Sequence, residues 1–438
     1  MVRLIIIISM LLGSNSLFAQ SLIDVYKKGN IKLVPDKEYA QGNDWEKVFV
    51  NYYDTLYKKP MGERKSIVLL PDGSAVVNHA YQNYYSRFDA NGKFVNEFEI
   101  NTGSGKRLGK RTEAIQGVIN NTLFTGVDNL GNMVCCDFSG KYIKTLKLNY
   151  MVRDMIPLSD NKFAVVGWVI WKTKFRDFVS IVDYNTNEEK IIWDHFTDRN
   201  EGITVEYASR EELMEKRMAQ RKIFNYFYWI EGERAMSFST MSFSNASGIS
   251  SPPKITFVKN QLIIAIPKTG EILTYTIDGK QVSKEKIEWS SYEISPDMQR
   301  EIQKNAIEKF EKKQRVFGSV SKEEDDKAKE AILKQMNDDL SKIKDPIPIP
   351  AFSTIIKDSD DNILFFEIPV KDGANKFNVW VYDKGGKFVV QSSFECDEYN
   401  LSITPQKMVF HNGYIYSLQT LKEATGNPLR LVRFKLTN

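Results

Sequence analysis

The sequence predicts an all-β fold made from one repeated unit, and three observations carry that expectation. An extended apolar segment, a tight polar turn, two further strands, an Asp/Asn/Gly turn with Lys and a last strand recur along the chain. The strands favour Val, Ile, Phe and Tyr, while turns such as Pro71-Asp72-Gly73, Asn91-Gly92 and Gly385-Gly386 reach positive φ at little cost. A unit of four antiparallel strands with two apolar faces cannot bury both alone, so its copies must stack in a ring. The repeats therefore predict a six-bladed β-propeller with four-stranded antiparallel blades.

In order, the copies run from Ser66 to Ile100, Glu113 to Leu148, Asp154 to Asp194, Lys254 to Trp289 and Ser353 to Glu395, with a three-stranded sixth from Lys407 to Asn438. Strand-like pieces ahead of the first copy, at Ile31 to Val34 and Lys47 to Thr55, offer an N-terminal strand to close the last blade, which would remove two exposed edges. Residues 20–438 form one domain on this reading. Two stretches break the β pattern. Residues 207–224 read as a helix opened by a capping box at Ser209 and Glu212. Residues 295–345 read as a helical hairpin, with starts at Ser295-Pro296-Asp297 and at Ser321 with Glu324, and a break at Gly318. Its acidic and basic residues interleave at helical spacing, as on a solvated, salt-bridge-laced element. Passive packing over the ring is its plainer role and partner binding the alternative.

The chain has 438 residues with 60 basic and 56 acidic side chains, a net charge of +4, which is no nucleic-acid footprint. Residues 1–19 place Arg3 ahead of an apolar run and end in Leu17-Phe18-Ala19, the pattern of a secretory signal peptide. No Cys stands near that junction and no later stretch approaches a transmembrane span. The expectation is an exported chain, periplasmic or extracellular, without a lipid anchor. Export exposes thiols to oxidation, yet only Cys135, Cys136 and Cys396 are present. The first two are strand neighbours facing opposite ways, so buried structural thiols are expected.

Turns between first and second and between third and fourth strands read as tight throughout. Longer connections, among them Asn78 to Tyr85 and Gly167 to Arg176, join second to third strands or one copy to the next, all on one face. Elaborated loops on a rigid scaffold are where binding usually resides. That face would carry Tyr81, Tyr84, Tyr85, Trp168 and Trp171, flat rings suited to sugars or peptide side chains, unless they pack beneath the insertions. It would also carry Lys106 and Arg107, in a loop that looks like a phosphate cradle but lacks the Gly-Lys-Ser/Thr of one. Asp358, Asp360, Asp361 and Asn362 resemble calcium ligands without the Gly and distal Glu of an EF-hand loop, so a polar turn is the better reading. His79, His195 and His411 are spread over three copies, and no nucleophile–base spacing is recognisable. No metal or cofactor is expected.

The turns PDGS, DANGK, FSGK, IDGK and DKGGK, each leading into an apolar strand, resemble those of bacterial six-bladed β-propellers of the TolB-like and NHL-repeat superfamily. The resemblance covers nearly all of the chain after the leader apart from the two insertions. It implies the architecture and no single activity, since that superfamily includes scaffolds, binding proteins and some enzymes. The favoured function is non-catalytic binding of a saccharide, peptide or protein partner on the elaborated face. The alternative is a hydrolase or lyase acting on saccharide or peptide with channel-facing acidic residues.

Overall fold

The computed structural model describes residues 21–50, 53–54, 59–60, 65–79, 82–99, 117–119, 121–127, 132–171, 174–198, 225–230, 234–239, 252–287, 293–316, 321–348, 350–368 and 375–437. The leader at 1–19, the helix expected at 207–224 and the basic loop of Lys106 and Arg107 lie outside these residues.

Turn chemistry sets where strands begin and end. At Asp89 one carboxylate oxygen accepts the N–H groups of Asn91 and Lys93 at 2.9 Å each, at Asp137 those of Ser139 and Lys141 at 2.9 Å each, and at Asp383 those of Gly385 and Lys387 at 2.8 and 3.0 Å. Such side-chain capture fixes the reversal before the next strand starts. Within the first of these turns Gly92 sits at φ +77°, and a Cβ there would meet the Tyr39 ring at 2.6 Å. Both the backbone conformation and the space demand glycine.

Among the described residues, four sheets are four-stranded and antiparallel, each in simple chain order. The first comprises Lys65–Leu69, Ala75–His79, Gln82–Phe88 and Phe94–Glu99. The second comprises Gly117–Ile119, Thr122–Val127, Asn132–Cys136 and Tyr142–Lys147. The third comprises Met151–Pro157, Lys162–Trp171, Lys174–Asp183 and Glu189–Asp198. The fourth comprises Lys254–Val258, Gln261–Ile266, Glu271–Thr276 and Gln281–Lys286. A nine-stranded sheet holds two more such arrays. One is Thr354–Lys357, Ile363–Phe366, Lys376–Tyr382 and Phe388–Glu395. The other is Met408–His411, Tyr414–Leu421, Leu429–Thr437 and the N-terminal Asn30–Pro35, which runs antiparallel to Leu429–Thr437.

The two arrays are joined because Asn30–Lys32 also pairs in parallel with Ser393–Glu395. Side chains reinforce that junction: Asn30 Nδ2 donates to Glu395 Oε1 at 2.7 Å and Ser393 Oγ to Asn30 Oδ1 at 2.7 Å. Ahead of it, the helix Leu22–Tyr26 is tied down by the Tyr26 hydroxyl, which donates to Asp358 Oδ2 at 3.0 Å, and by Leu22 N–H on Asp360 Oδ2 at 3.0 Å. Asp358 itself accepts the N–H groups of Asp360 and Asn362, so the calcium-like segment is occupied as a structural turn. The other strand-like piece differs in part from expectation: Trp45–Val48 is a helical turn, from which Val48 and Phe49 enter the core, while Tyr53–Asp54 is a short strand paired with Lys59–Pro60 and not with the last array.

Packing is pairwise between sheets. Tyr85 and Val76 of the first meet Leu123 and Val134 of the second; Phe124 and Met133 of the second meet Phe163 and Val165 of the third. Ala164 and Val179 of the third meet Leu262 and Ile264 of the fourth, and Ile263 and Ala265 of the fourth meet Phe365 and Tyr382. Phe366 and Val379 pack with Ile415 and Phe434, and Leu418 and Leu431 with Ile67 and Phe88 of the first sheet. Four-stranded antiparallel sheets stacked face to face in chain order are the build of a β-propeller. Cys135 belongs to one of these interfaces and Cys136 to the next, on opposite faces of one strand.

All three cysteines are free and buried, and burial pushes the Cys135 thiol up to about 12. A thiol-reactive dye should therefore label none of them in the native protein and all three after denaturation. Labelling of any one within seconds under native conditions would contradict the burial.

The helical hairpin consists of Pro296–Glu311 and Lys322–Leu340, capped by Ser295 Oγ on Met298 N–H and Ser321 Oγ on Glu324 N–H. It carries its own small core of Ile307, Phe310, Ile332 and Met336. Helix Lys322–Leu340 lies against strand Asn225–Ile230, which pairs with Arg234–Ser239. The hairpin thus packs on this two-stranded ribbon, which follows the residues of the other insertion in sequence.

Candidate functional site

The first strands of the arrays lie beside one another: Met151–Pro157 neighbours Gly117–Ile119 and Lys254–Val258, and Lys254–Val258 neighbours Thr354–Lys357. A cavity of about 200 Å³ opens where four of these first strands start. Its walls are Arg153, Asp154, Pro252 to Ile255, Ser353 to Ile355 and Ile403 to Gln406. These segments lie in the N-terminal half of a first strand or just before it. That is the end at which chain arrives from the preceding array, opposite the tight turns after Leu69, Val258 and His411.

Asp154 and Lys254 give the cavity its electrostatics. Both retain partial contact with solvent through the cavity while protein surrounds them otherwise. Burial pushes the Asp154 carboxyl up to about 6, against the opposing pull of Lys254, the Met155 N–H at 2.9 Å and the Gln406 amide at 3.3 Å. Burial likewise lowers Lys254, with Arg153 adding to the effect and Asp154 resisting it. Arg153 is held at the rim by Asp177, at 3.3 Å, with its guanidinium 5.1 Å above the Trp168 ring. The Arg contact and stacked ring fix its direction.

The structure brings Trp168 to this rim but does not gather the other expected residues. Tyr81, Lys106 and Arg107 lie outside the described residues, and Tyr84 and Trp171 fall within strands Gln82–Phe88 and Lys162–Trp171 with side chains outside them. Tyr85 is fully buried, stacked on Phe98 at 5.5 Å between the first and second sheets. The long connection expected from Gly167 to Arg176 is corrected: pairing continues from Gly167–Phe178 to Trp171–Lys174, because Val169, Ile170 and Trp171 suit a strand and extend the ladder. The expected loop at Asn78 to Tyr85 is likewise a hairpin, paired as far as His79 and Gln82. His195 pairs opposite Asp177 in the third sheet, His411 sits in the last array and shares no site with it, and His79 is placed only by its backbone at the end of strand Ala75–His79.

Arg153, Asp154, Lys254 and Gln406 were not singled out from the sequence. The available signal was charge within or at the head of otherwise apolar first strands, in Arg153-Asp154 and in Pro252-Pro253-Lys254.

No family model matches the chain, and no curated protein does. Among solved structures the chain is similar to a member of the duf4221 family from Bacteroides vulgatus, with 11% identity, 93% of this chain and 98% of that one covered and a TM-score of 0.47. It is also similar to virginiamycin B lyase from Staphylococcus aureus, at 10% identity, 86% and 96% coverage and a TM-score of 0.36. A third is the β-propeller domain of Swd1 from Myceliophteria thermophila, at 8% identity, 86% and 97% coverage and a TM-score of 0.35. The β-propeller build rests on the chain's own sheets and interfaces, not on likenesses this distant. Among the described residues no helix is long and apolar enough to cross a membrane.

Proposed function

We propose that this chain is an exported six-bladed β-propeller that binds a small ligand or a partner without catalysis, at the face where the connections between arrays arrive. Six arrays follow from counting the N-terminal strand with Met408–His411, Tyr414–Leu421 and Leu429–Thr437. Ring closure is supported by the packing of Leu418 and Leu431 on Ile67 and Phe88. The leader supports export. The observation that carries the binding role is the cavity at the head of the first strands, whose lining combines the polar Arg153, Asp154, Lys254 and Gln406 with the apolar Pro252, Ile403 and Pro405.

Asp154 favours the catalytic alternative, since a carboxyl near 6 suits general acid–base work. A two-carboxylate mechanism needs a second acid about 5–10 Å away, and Asp154 is the one carboxylate among the described residues of the cavity wall. Binding is the better-supported reading.

A thermal-shift screen of saccharides, sugar acids and short peptides, followed by calorimetry, tests it. Trp168→Ala should weaken a screened ligand by about tenfold or more while leaving the melting temperature within a few degrees. Loss of binding on changing the Asp72 or Gly386 turns, with Trp168→Ala indifferent, would assign the opposite face. Conversion of the ligand to product would replace binding with catalysis.

A further inference from the structure

We infer that the cavity is a carboxylate site: it takes a small organic acid whose anion sits on Lys254, beside Arg153, with Thr354, Thr404 and Gln406 available to its other polar groups. The inference rests on the binding role proposed above and names its ligand class.

Lys254 is the decisive residue. An ammonium surrounded by protein needs a partner, because water is no longer there in bulk to solvate it. Yet among the described residues no hydrogen bond or ion pair joins the Lys254 ammonium to a side chain or carbonyl. Asp154, the nearby carboxylate that resists its loss of charge, spends its Oδ1 on Met155 N–H and Gln406 Nε2. The three donors of Lys254 therefore remain available. Arg153 adds a second positive charge at the rim but is already engaged with Asp177. It contributes field and direction, while Lys254 supplies the unsatisfied charge.

Size and wall chemistry narrow the class. About 200 Å³ lies below the roughly 300–1,000 Å³ of pockets for drug-sized molecules, so one small acid fits better than a polymer segment. Ile403, Pro252 and Pro405, all partly exposed, offer apolar contact to a carbon skeleton. Thr354 and Thr404 bring hydroxyls able to donate or accept. A carboxylate with an attached polar skeleton could come from a sugar acid or from the end of a short peptide.

Asp154 makes the site respond to pH. The charged and titratable groups facing it are Lys254 from the fourth sheet and Arg153 from its own strand, with the Gln406 amide from the segment before Met408. No other acidic or basic side chain lines the cavity among the described residues. When Asp154 takes a proton, the one negative charge that repels an incoming carboxylate disappears. Binding should thus tighten as pH falls from 7.5 to 5.5, a range in which the ligand acid, with a pKa of about 3.5, stays ionised.

Calorimetric titration of the full-length protein with D-galacturonate against D-galactose, and with Gly-Gly against its C-terminal amide, tests the class and separates the two sources. In one of the two pairs the acid should bind at least about tenfold more tightly than its neutral counterpart. Lys254→Met should abolish that difference, and Asp154→Asn should tighten acid binding at pH 7.5 and flatten its pH dependence. If Lys254→Met fails to fold, Asp154→Asn carries the test alone. Equal binding of acid and neutral members, unchanged acid binding in Lys254→Met, or sulfate binding as tightly as either acid would overturn the carboxylate assignment. A neutral probe that binds and is lost on Trp168→Ala would do so while leaving the binding role intact. Turnover of a probe, followed by NMR, would instead remove the binding role itself.

Discussion

Ile31→Ala and Leu33→Ala should each destabilise the protein by about 2–5 kcal/mol, and a chain beginning at Glu38 should not reach the native state. Ile31 is 0% exposed and Leu33 2%, and both enter the core shared with Phe366, Val379, Ile415 and Phe434. Their strand also supplies two ladders at once, antiparallel to Leu429–Thr437 and parallel to Phe388–Glu395. Removing it uncovers an edge on each neighbour and strips Leu22, Val25 and Tyr26 from the same core. Val34, 41% exposed on the same strand, is the internal control, and Val34→Ala should stay within about 0.5 kcal/mol. Urea denaturation followed by tryptophan fluorescence reads all four. A truncated chain that still unfolds cooperatively near the parent midpoint would mean the last array is complete without Asn30–Pro35.

The repeat was legible because it is written in local chemistry. Asp89, Asp137 and Asp383 each capture the backbone two and four residues on, and the apolar runs that follow have strand period and strand residues. Helix starts at Ser295 and Ser321 were readable for the same reason, since a capping serine acts within one turn. Where local signals mislead, long-range packing decides. Lys47 and Val48 look like the start of a strand, yet Trp45–Val48 is helical because that turn seats Phe49 against Phe88 at 5.9 Å. The parallel junction of Asn30 with Ser393 joins residues far apart in sequence, and no periodicity records it.

The site was less legible than the fold. Aromatic residues drew attention because they are conspicuous, yet Tyr85 is a core ring and Trp168 lies under the guanidinium of Arg153, which Asp177 holds from two strands away. Lys254 and Gln406 come from different arrays and meet Asp154 only when first strands from several arrays stand together. Spacing in sequence carries none of that. Burial, which sets the electrostatics of Asp154 and Lys254, is a property of the assembled walls.

Asp154→Asn should raise stability at pH 7.5 and leave it unchanged near pH 3.5. The folded carboxyl is raised from 3.8 to about 6, so between those values the folded protein binds more protons than the unfolded chain. Stability contributed by the neutral acid is therefore present below about pH 3.8 and lost as pH rises through about 6. Full ionisation of a group shifted this far corresponds to at most about 3 kcal/mol, reduced by whatever water the cavity admits. Asparagine remains neutral at every pH and keeps an oxygen for the Met155 N–H or the Gln406 amide. The attraction of Lys254 is already contained in the value near 6, so its loss does not reverse the sign. Melting temperatures of parent and variant from pH 3.5 to 8 should coincide at the acid end and separate above about pH 5. Coincident curves throughout would mean that Asp154 is solvated as an ordinary surface carboxylate. Holding an ionisable acid among protein walls beside Lys254 therefore costs stability above about pH 6.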